Sequence, residues 1–373
     1  MAAMMFSADY PTHQGYMARA LELARRGMYT VTPNPRVGCV IVHNSATGGE
    51  VVGEGWHARA GAPHAEVHAI REAGARARGA TVYVTLEPCA HQGRTPPCCE
   101  ALIAAGVSRV ITAMEDPNPL VAGKGFAMLR SANIAVESGL LADEACELNI
   151  GFVSRMTRGR PWVRLKVAAS LDGKTALLNG QSQWITGEQA RRDGHIWRAQ
   201  ACAILTGIGT VKQDNPQLTV REVDTTRQPV RVVVDSRLET PLDAKVLGKG
   251  TLIAAAASRV SPMRALQEKG AEILVLPNAA YKVELADLLL ELARRGINEV
   301  HVEAGFKLNG SLLKEGLVDE LLIYLAPSLL GDAAQGMFQL PELKTLSEQR
   351  RLNIVDVRQI GADIRILARV APV

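Results

Sequence analysis

The residues best suited to chemistry in this sequence are His64, Glu66, Cys89 and Cys98. They arrive in order, as Pro63-His64-Ala65-Glu66, then Glu87-Pro88-Cys89, then Thr95-Pro96-Pro97-Cys98-Cys99. One imidazole and two thiolates make a three-ligand zinc set that leaves a fourth position for water. Zinc brings the pKa of such a water to roughly 7, so hydroxide is available at neutral pH. His64 and Cys98 both stand where helices are expected to begin, and a helix N-terminus favours a thiolate. Glu66, two residues after His64, falls in the first turn. There it can reach the water without ligating the metal, take its proton and hand it to a leaving group.

Taken singly, these residues have ordinary explanations. His-x-Glu recurs by chance, and free cysteines are often core. The set in this order resembles the His-x-Glu…Pro-Cys…Cys pattern of zinc nucleobase deaminases. It departs from that pattern in one respect: eight residues, not two, separate Cys89 from Cys98. Two other metal arrangements stay open. Cys99 or His91 can fill the fourth position and make the site structural, and His68, four residues after His64, shares its helix face. A non-catalytic metal site has no need of Glu66.

The second half offers a looser constellation: Lys166-Val167-Ala168-Ala169-Ser170-Leu171-Asp172-Gly173, Ser182-Gln183-Trp184, Thr206-Gly207-Ile208-Gly209-Thr210, Asp214-Asn215-Pro216, Leu218-Thr219-Val220-Arg221, Asp235-Ser236 and Glu303-Ala304-Gly305. Most read as strand ends followed by glycine-containing turns, where open α/β sheets bind ligands. Gly305 to Ser311 runs from a strand end into a helix start, whose amides suit a phosphate. Gly207-x-Gly209 is only a fragment of a full dinucleotide fingerprint, and a tight turn explains it equally well. Arg198 and Arg221 suit a bidentate grip on phosphate. Trp184 offers an apolar plane. Glu303 beside Ala304-Gly305 is an odd place for an acid without a task.

The elements that must position these groups alternate. Helical spacing over 13–27 precedes a strand over 37–42, a second strand ending near Trp56, a helix over 64–75 and a strand over 81–85. A helix near 98–105, a strand over 107–114, a further helix, and a strand near 133–137 complete one mixed sheet, followed by a helix over 142–158. Gly159-Arg160-Pro161 is the first plausible breakpoint. Beyond it the spacing predicts strands near 162–168, 201–206, 230–235, 251–256, 272–276, 298–303 and 318–325. Helices near 188–199, 262–269, 283–295 and 307–315 separate several of them, and strands near 352–358 and 363–369 close the chain. The expected division is 1–158 and 159–373, each half an α/β domain with its own core.

Composition narrows the function. The 373 residues carry a formal charge of only +4, and aromatics are 4%. A nucleic-acid deaminase needs a basic groove and stacking aromatics; neither shows, and that reading leaves the second half unexplained. The N-terminus lacks a basic start and a long apolar stretch. With no apolar run near the ~18 residues of a membrane span, a cytoplasmic protein with no membrane partner is expected. Three of the six cysteines fall within eleven residues, which points to metal or catalysis rather than a disulfide framework.

Thr32-Pro33-Asn34-Pro35-Arg36-Val37-Gly38, His64-Ala65-Glu66-Val67-His68 and Leu86-Glu87-Pro88-Cys89-Ala90-His91-Gln92-Gly93-Arg94-Thr95-Pro96-Pro97-Cys98-Cys99 together resemble the bifunctional deaminase/reductase family of riboflavin biosynthesis. The wide cysteine spacing is normal in that family, and the resemblance covers nearly the whole chain. It implies a cytidine-deaminase-like three-layer domain followed by a dihydrofolate-reductase-like domain. The implied substrate is a phosphorylated pyrimidine, 2,5-diamino-6-ribosylamino-4(3H)-pyrimidinone 5′-phosphate. Its 2-amino group is replaced by oxygen, with His64, Cys89 and Cys98 on zinc and Glu66 as the proton shuttle. NADPH then reduces the ribosyl to a ribityl chain. By the same resemblance, Ala168, Trp184, Thr210, Asp214, Ser236 and the loop Gly305, Phe306, Lys307, Leu308, Asn309, Gly310, Ser311 contact the cofactor. Ser182, Arg198, Leu218, Arg221 and Glu303 contact the substrate. Lys166, Asp214 and Glu303 are the candidate proton donors of the reduction. A homo-oligomer, a dimer through the second half, is also implied.

Overall fold

The computed structural model describes residues 12–45, 48–92 and 96–371. Gly93, Arg94 and Thr95 of the second cysteine motif lie outside the described residues, as does the N-terminal stretch 1–11. The chain divides into two compact units, Met1–Gly159 and Arg160–Val373.

The first unit runs α1 (His13–Arg25), β1 (Gly38–Ser45), β2 (Gly48–Trp56), α2 (Ala65–Ala73), β3 (Thr81–Val84), α3 (Cys98–Ala105), β4 (Arg109–Thr112), α4 (Lys124–Ser131), β5 (Ala135–Ser138), α5 (Ala142–Leu148) and α6 (Ile150–Arg158). Its sheet has the order β2-β1-β3-β4-β5, with β2, β1 and β3 antiparallel and β3, β4 and β5 parallel. Thr12 caps α1 by accepting from the Gly15 amide at 3.1 Å, and Met17, Ala20, Leu21 and Ala24 form its buried face. The central strand β3, Thr-Val-Tyr-Val, is buried at every position.

Helices cover both faces of this sheet because glycines in the strands let them come close. A Cβ on Gly38 would overlap the Ala20 carbonyl of α1, and one on Gly55 would overlap the Ala65 carbonyl of α2. Gly55 lies opposite Cys39, the neighbour of Gly38, and successive residues of a strand face opposite ways. So α1 and α2 sit on opposite faces. The predicted helix over 142–158 is two helices broken at Asn149. The buried Asn149 side chain accepts from the Arg36 amide at 2.8 Å and donates to the Arg36 carbonyl at 3.0 Å. It serves Arg36 as a strand partner would, and the helix yields to it.

The second unit runs β6 (Trp162–Ser170), β7 (Lys174–Ala176), α7 (Glu188–Gln200), β8 (Ala203–Gly207), α8 (Ile208–Asp214), β9 (Val230–Val234), β10 (Thr251–Ala255), α9 (Val260–Glu268), β11 (Ala271–Val275), α10 (Leu285–Arg294), β12 (Glu299–Val302), α11 (Phe306–Lys314), β13 (Glu320–Ala326), β14 (Gln335–Gly336), β15 (Leu352–Ile360) and β16 (Asp363–Val370). The large sheet has the order β11-β10-β9-β8-β12-β6-β13-β16-β15. Strands β11 through β13 in that order are parallel, and β16 and β15 add an antiparallel edge. Parallel strands buried on both faces read as near-continuous apolar runs, as Val230–Val234 and Thr251–Ala255 do. The short α8 was not anticipated; Gly207 is its N-cap and Gly209 lies inside its first turn.

Candidate functional sites

In the first unit His64 is the N-cap of α2, Cys98 is the first residue of α3, and Cys89 follows β3. His64 Nδ1 lies 3.2 Å from Cys98 Sγ and 3.6 Å from Cys89 Sγ. The three ligand atoms all fall within 4.8 Å of one another. Zinc–sulfur and zinc–nitrogen bonds set at tetrahedral angles give ligand edges of about 3.5 Å, so the donor set fits zinc. The Cys98 amide donates to Cys89 Sγ at 3.3 Å, and the Cys98 thiol beside it draws Cys89 well below the ordinary thiol range.

Glu66 is buried against this cluster, and its Oε2 has no hydrogen-bond partner among the described residues. Burial and the neighbouring Cys89 push its pKa up, opposed by His64. An orphaned buried carboxylate oxygen is costly, and such exceptions concentrate where a group has work to do. Cys99 points elsewhere: its thiol donates to the Pro88 carbonyl at 3.2 Å and to Gly125 at 3.6 Å. Cys99, His91 and His68 all stand outside the ligand cluster of the described residues.

The sequence reading missed Asn34 and His57 as part of this wall. His57 Nδ1 lies 3.2 Å from the Pro63 carbonyl and so donates, leaving Nε2 to accept from Asn34 Nδ2 at 3.0 Å. The His57 ring meets the His64 ring edge-on at 5.1 Å, and burial lowers its pKa. The only advance signal was Asn34 in its Pro-Asn-Pro loop; nothing local marks His57.

In the second unit the centre is Glu303, just past β12. Arg198 of α7 grips it with Nε at 2.5 Å and Nη2 at 2.8 Å, and donates Nη1 to the Thr219 carbonyl at 3.2 Å. Burial opposes the Glu303 charge, but Arg198, with His301 at 3.4 Å and Lys166 nearby, holds it well below the usual carboxylate range. The planar fork of Arg198, suited to a phosphate, faces this carboxylate in the structure. Lys166, on β6 beside β12, has its pKa lowered by burial, with Glu303 opposing.

The other expected residues fall as follows. The run Gly305–Ser311 is not a loop: Gly305 is the N-cap of α11 and the helix starts at Phe306. The Asn309 amide already bonds the Gly305 carbonyl at 3.1 Å. Asn309 and Gly310 are buried, and Ser311 lies a further residue into the helix. A Cβ on Gly310 would overlap the Gln339 carbonyl. Only the amides of Phe306, Lys307 and Leu308 precede the first intrahelical bond and suit a phosphate. Thr210 Oγ1 lies 3.7 Å from where a Gly305 Cβ would be, so the starts of α8 and α11 adjoin. Ser182 Oγ donates to Asp214 Oδ1 at 3.2 Å. Trp184 is 70% exposed with the Arg191 guanidinium 4.7 Å above its ring, which excludes a core role. Leu218 has φ +51 and buries its side chain in a minor core, so its backbone is what a ligand can meet. Arg221 is exposed and bonds Gln217 at 2.8 Å. Ser236 follows β9 and accepts from the Val283 amide at 3.2 Å. Ala168 lies mid-strand in β6, paired with Tyr324.

Two family models match. Residues 11–114 match the cytidine and deoxycytidylate deaminase zinc-binding region, and residues 161–366 match the RibD C-terminal domain. The chain is 50% identical over 362 residues to the riboflavin biosynthesis protein RibD of Escherichia coli strain K12, covering 94% of this chain and 97% of that one. It is 47% identical to RibD of Haemophilus influenzae, covering 94% and 95%. Among solved structures it resembles Acinetobacter baumannii RibD, with a TM-score of 0.89 at 46% identity over 96% of this chain and 99% of that chain. It also resembles a Thermotoga maritima diaminohydroxyphosphoribosylaminopyrimidine deaminase/5-amino-6-(5-phosphoribosylamino)uracil reductase, with a TM-score of 0.83 at 32% identity over 96% and 98%.

Proposed function

Since the chain belongs to the bifunctional deaminase/reductase family of riboflavin biosynthesis, we propose that each unit performs one of the two reactions with the residues it brings together. The protein is an enzyme that deaminates and reduces a riboflavin-biosynthesis intermediate. The first unit has the zinc-deaminase-like fold and the second the dihydrofolate-reductase-like fold.

For the first reaction, His64, Cys89 and Cys98 are the residues to hold zinc, and 2,5-diamino-6-ribosylamino-4(3H)-pyrimidinone 5′-phosphate is the substrate. Bound there, zinc supplies the acidity that makes water a nucleophile at neutral pH. Glu66 supplies the base: its Oε2, without a hydrogen-bond partner among the described residues, takes a proton from water and returns it to the departing amine. The neutral His57, bonded to Asn34 and Pro63, keeps the wall beside His64 in place. The observation that carries this reading is the convergence of three ligand atoms with an orphaned, buried carboxylate.

For the second reaction NADPH is the hydride source. Trp184, Ala168, Thr210, Asp214, Ser236 and the amides following Gly305 are its contacts. Ser182, Arg198, Leu218, Arg221 and Glu303 hold the substrate, and Arg198 also fixes the orientation of Glu303. Of the candidate proton donors Lys166 is favoured, because burial weakens its hold on the proton while Arg198 keeps Glu303 ionised. The enzyme is a homodimer in this reading. Supporting it, edge strand β15 exposes Ile354, Val355 and Val357, and an exposed apolar edge invites pairing. Light scattering on Ile354→Lys is expected to give a smaller particle than wild type.

The test of the whole reading is to supply the diaminopyrimidinone substrate to zinc-loaded enzyme, follow ammonia, then add NADPH and follow its oxidation. Ammonia first and NADPH consumption second are expected. Absence of ammonia would refute the substrate, and ammonia without NADPH oxidation would refute the second unit's role. No helix of the described residues is long and apolar enough to cross a membrane.

A further inference from the structure

Glu87 precedes the Pro88-Cys89 pair, is 5% exposed, and is not a ligand. Its carboxylate accepts four backbone amides. Oε2 takes those of Asp116 at 3.1 Å and Gly123 at 3.0 Å, and Oε1 those of Gly125 at 2.8 Å and Phe126 at 3.3 Å. Its own amide donates to the Met114 carbonyl at 3.0 Å. These partners bracket one segment, from Asp116 at its start to the first turn of α4 at its end.

Charged acceptors make the stronger hydrogen bonds, and the last three amides sit at a helix start, where a negative charge is favoured. A helix cap alone would need only the last three. The bond to Asp116 closes the other end, so one buried group holds the neck of a segment whose Leu120 is 74% exposed. Strands β3 and β4 are adjacent and parallel, so the residues just after each share one end of the sheet. That places Cys89 and the start of the segment together, and the Asp116 carboxylate feels the charges of Glu87, His91 and Cys89. Asp116 and Asn118 are only half-buried there. Asp116 Oδ1 accepts the Asn118 amide at 2.8 Å, which turns the chain locally.

We propose that Glu87 is a positioning residue for the deamination: it clasps both ends of the 115–126 segment and holds the polar groups of Asp116 and Asn118 beside the metal cluster, where a hydrogen-bonding pyrimidine ring would meet them. This rests on the deaminase reading above. Glu87 touches neither metal nor substrate, so its loss is felt in substrate binding more than in the chemical step.

The experiment compares wild type, Glu87→Gln and Gly125→Ala, all zinc-loaded. Glu87→Gln keeps the shape but turns an amide N–H₂ towards N–H donors. Gly125→Ala opens the clasp from the other side, since its Cβ would overlap the Pro88 carbonyl and press on Glu87 Oε1 at 3.0 Å; it carries the test if Glu87→Gln does not fold. Bound zinc, KM and kcat for ammonia release, and amide exchange are measured. Expected are wild-type zinc content, a KM raised about tenfold or more with kcat within about threefold, and faster exchange confined to 115–126. Unchanged KM in an active, folded variant overturns the proposal. So does unchanged exchange, and so does loss of zinc together with kcat, which would make Glu87 a support of the metal site only. If wild type itself releases no ammonia, the deaminase reading fails instead. NADPH oxidation on pre-deaminated substrate, expected unchanged, certifies the fold of the second unit.

Discussion

Two adjacent cysteines of the first unit face opposite tasks. Cys98 Sγ joins His64 and Cys89, whereas the Cys99 thiol is spent on the carbonyls of Pro88 and Gly125. Cys98→Ala is expected to lose most bound zinc and all ammonia release, while Cys99→Ala keeps its zinc; metal analysis of the two proteins decides. In the second unit Glu303→Gln strips Arg198 of its buried counter-charge. Losing one partner of such a pair costs about 3–5 kcal/mol, so both a lower melting temperature of this unit and a loss of NADPH oxidation are expected, measured by calorimetry and by absorbance. The His64–Cys89–Cys98 cluster was legible because its residues lie in short motifs whose types admit few other readings. The Arg198–Glu303 pairing was not, since it joins residues 105 apart in the chain, and an arginine suited to a phosphate and an acid suited to a substrate gave no hint that they satisfy one another. Asn34 and His57, 23 apart, were hidden for the same reason.

At the scale of elements, periodicity found the strands because most are buried apolar runs, and it found the helices that carry His64 and Cys98. It failed where a side chain or a glycine overrides the pattern. Asn149 breaks a helix to pair with Arg36, and Gly207 starts a helix in place of a turn. The close packing of α2 on β2 rests on Gly55, and Gly55→Val is expected to push α2 outward, taking His64 and Glu66 with it. Loss of zinc and of thermal stability in the first unit checks this. Helix α7 carries a pH prediction. His195 Nδ1 accepts the Arg221 amide at 3.3 Å, and burial, then Arg198 and Arg221, lower its pKa from 6.5 to about 4. The folded form therefore stays neutral while the unfolded chain takes a proton. That difference leaves stability intact above pH 6.5 and removes it as pH falls towards 4. The melting temperature of the second unit should drop over that window, less steeply in His195→Gln; equal slopes would contradict the assignment.

For the molecule as a whole, the proposed deamination and reduction fall to separate units of one chain, in the order of the sequence. Chelating the metal is expected to stop ammonia release while leaving NADPH oxidation on pre-deaminated substrate intact. The division near Gly159 was legible from a Gly-Arg-Pro break between two self-contained α/β patterns; the nine-stranded sheet order was not, because strand order depends on contacts far apart in sequence. The most direct test uses zinc-loaded Glu66→Gln with the diaminopyrimidinone substrate and NADPH, then with the deaminated intermediate. The account predicts neither ammonia nor NADPH oxidation in the first mixture and wild-type NADPH oxidation in the second. Ammonia at the wild-type rate, or failure to reduce the supplied intermediate, would contradict it.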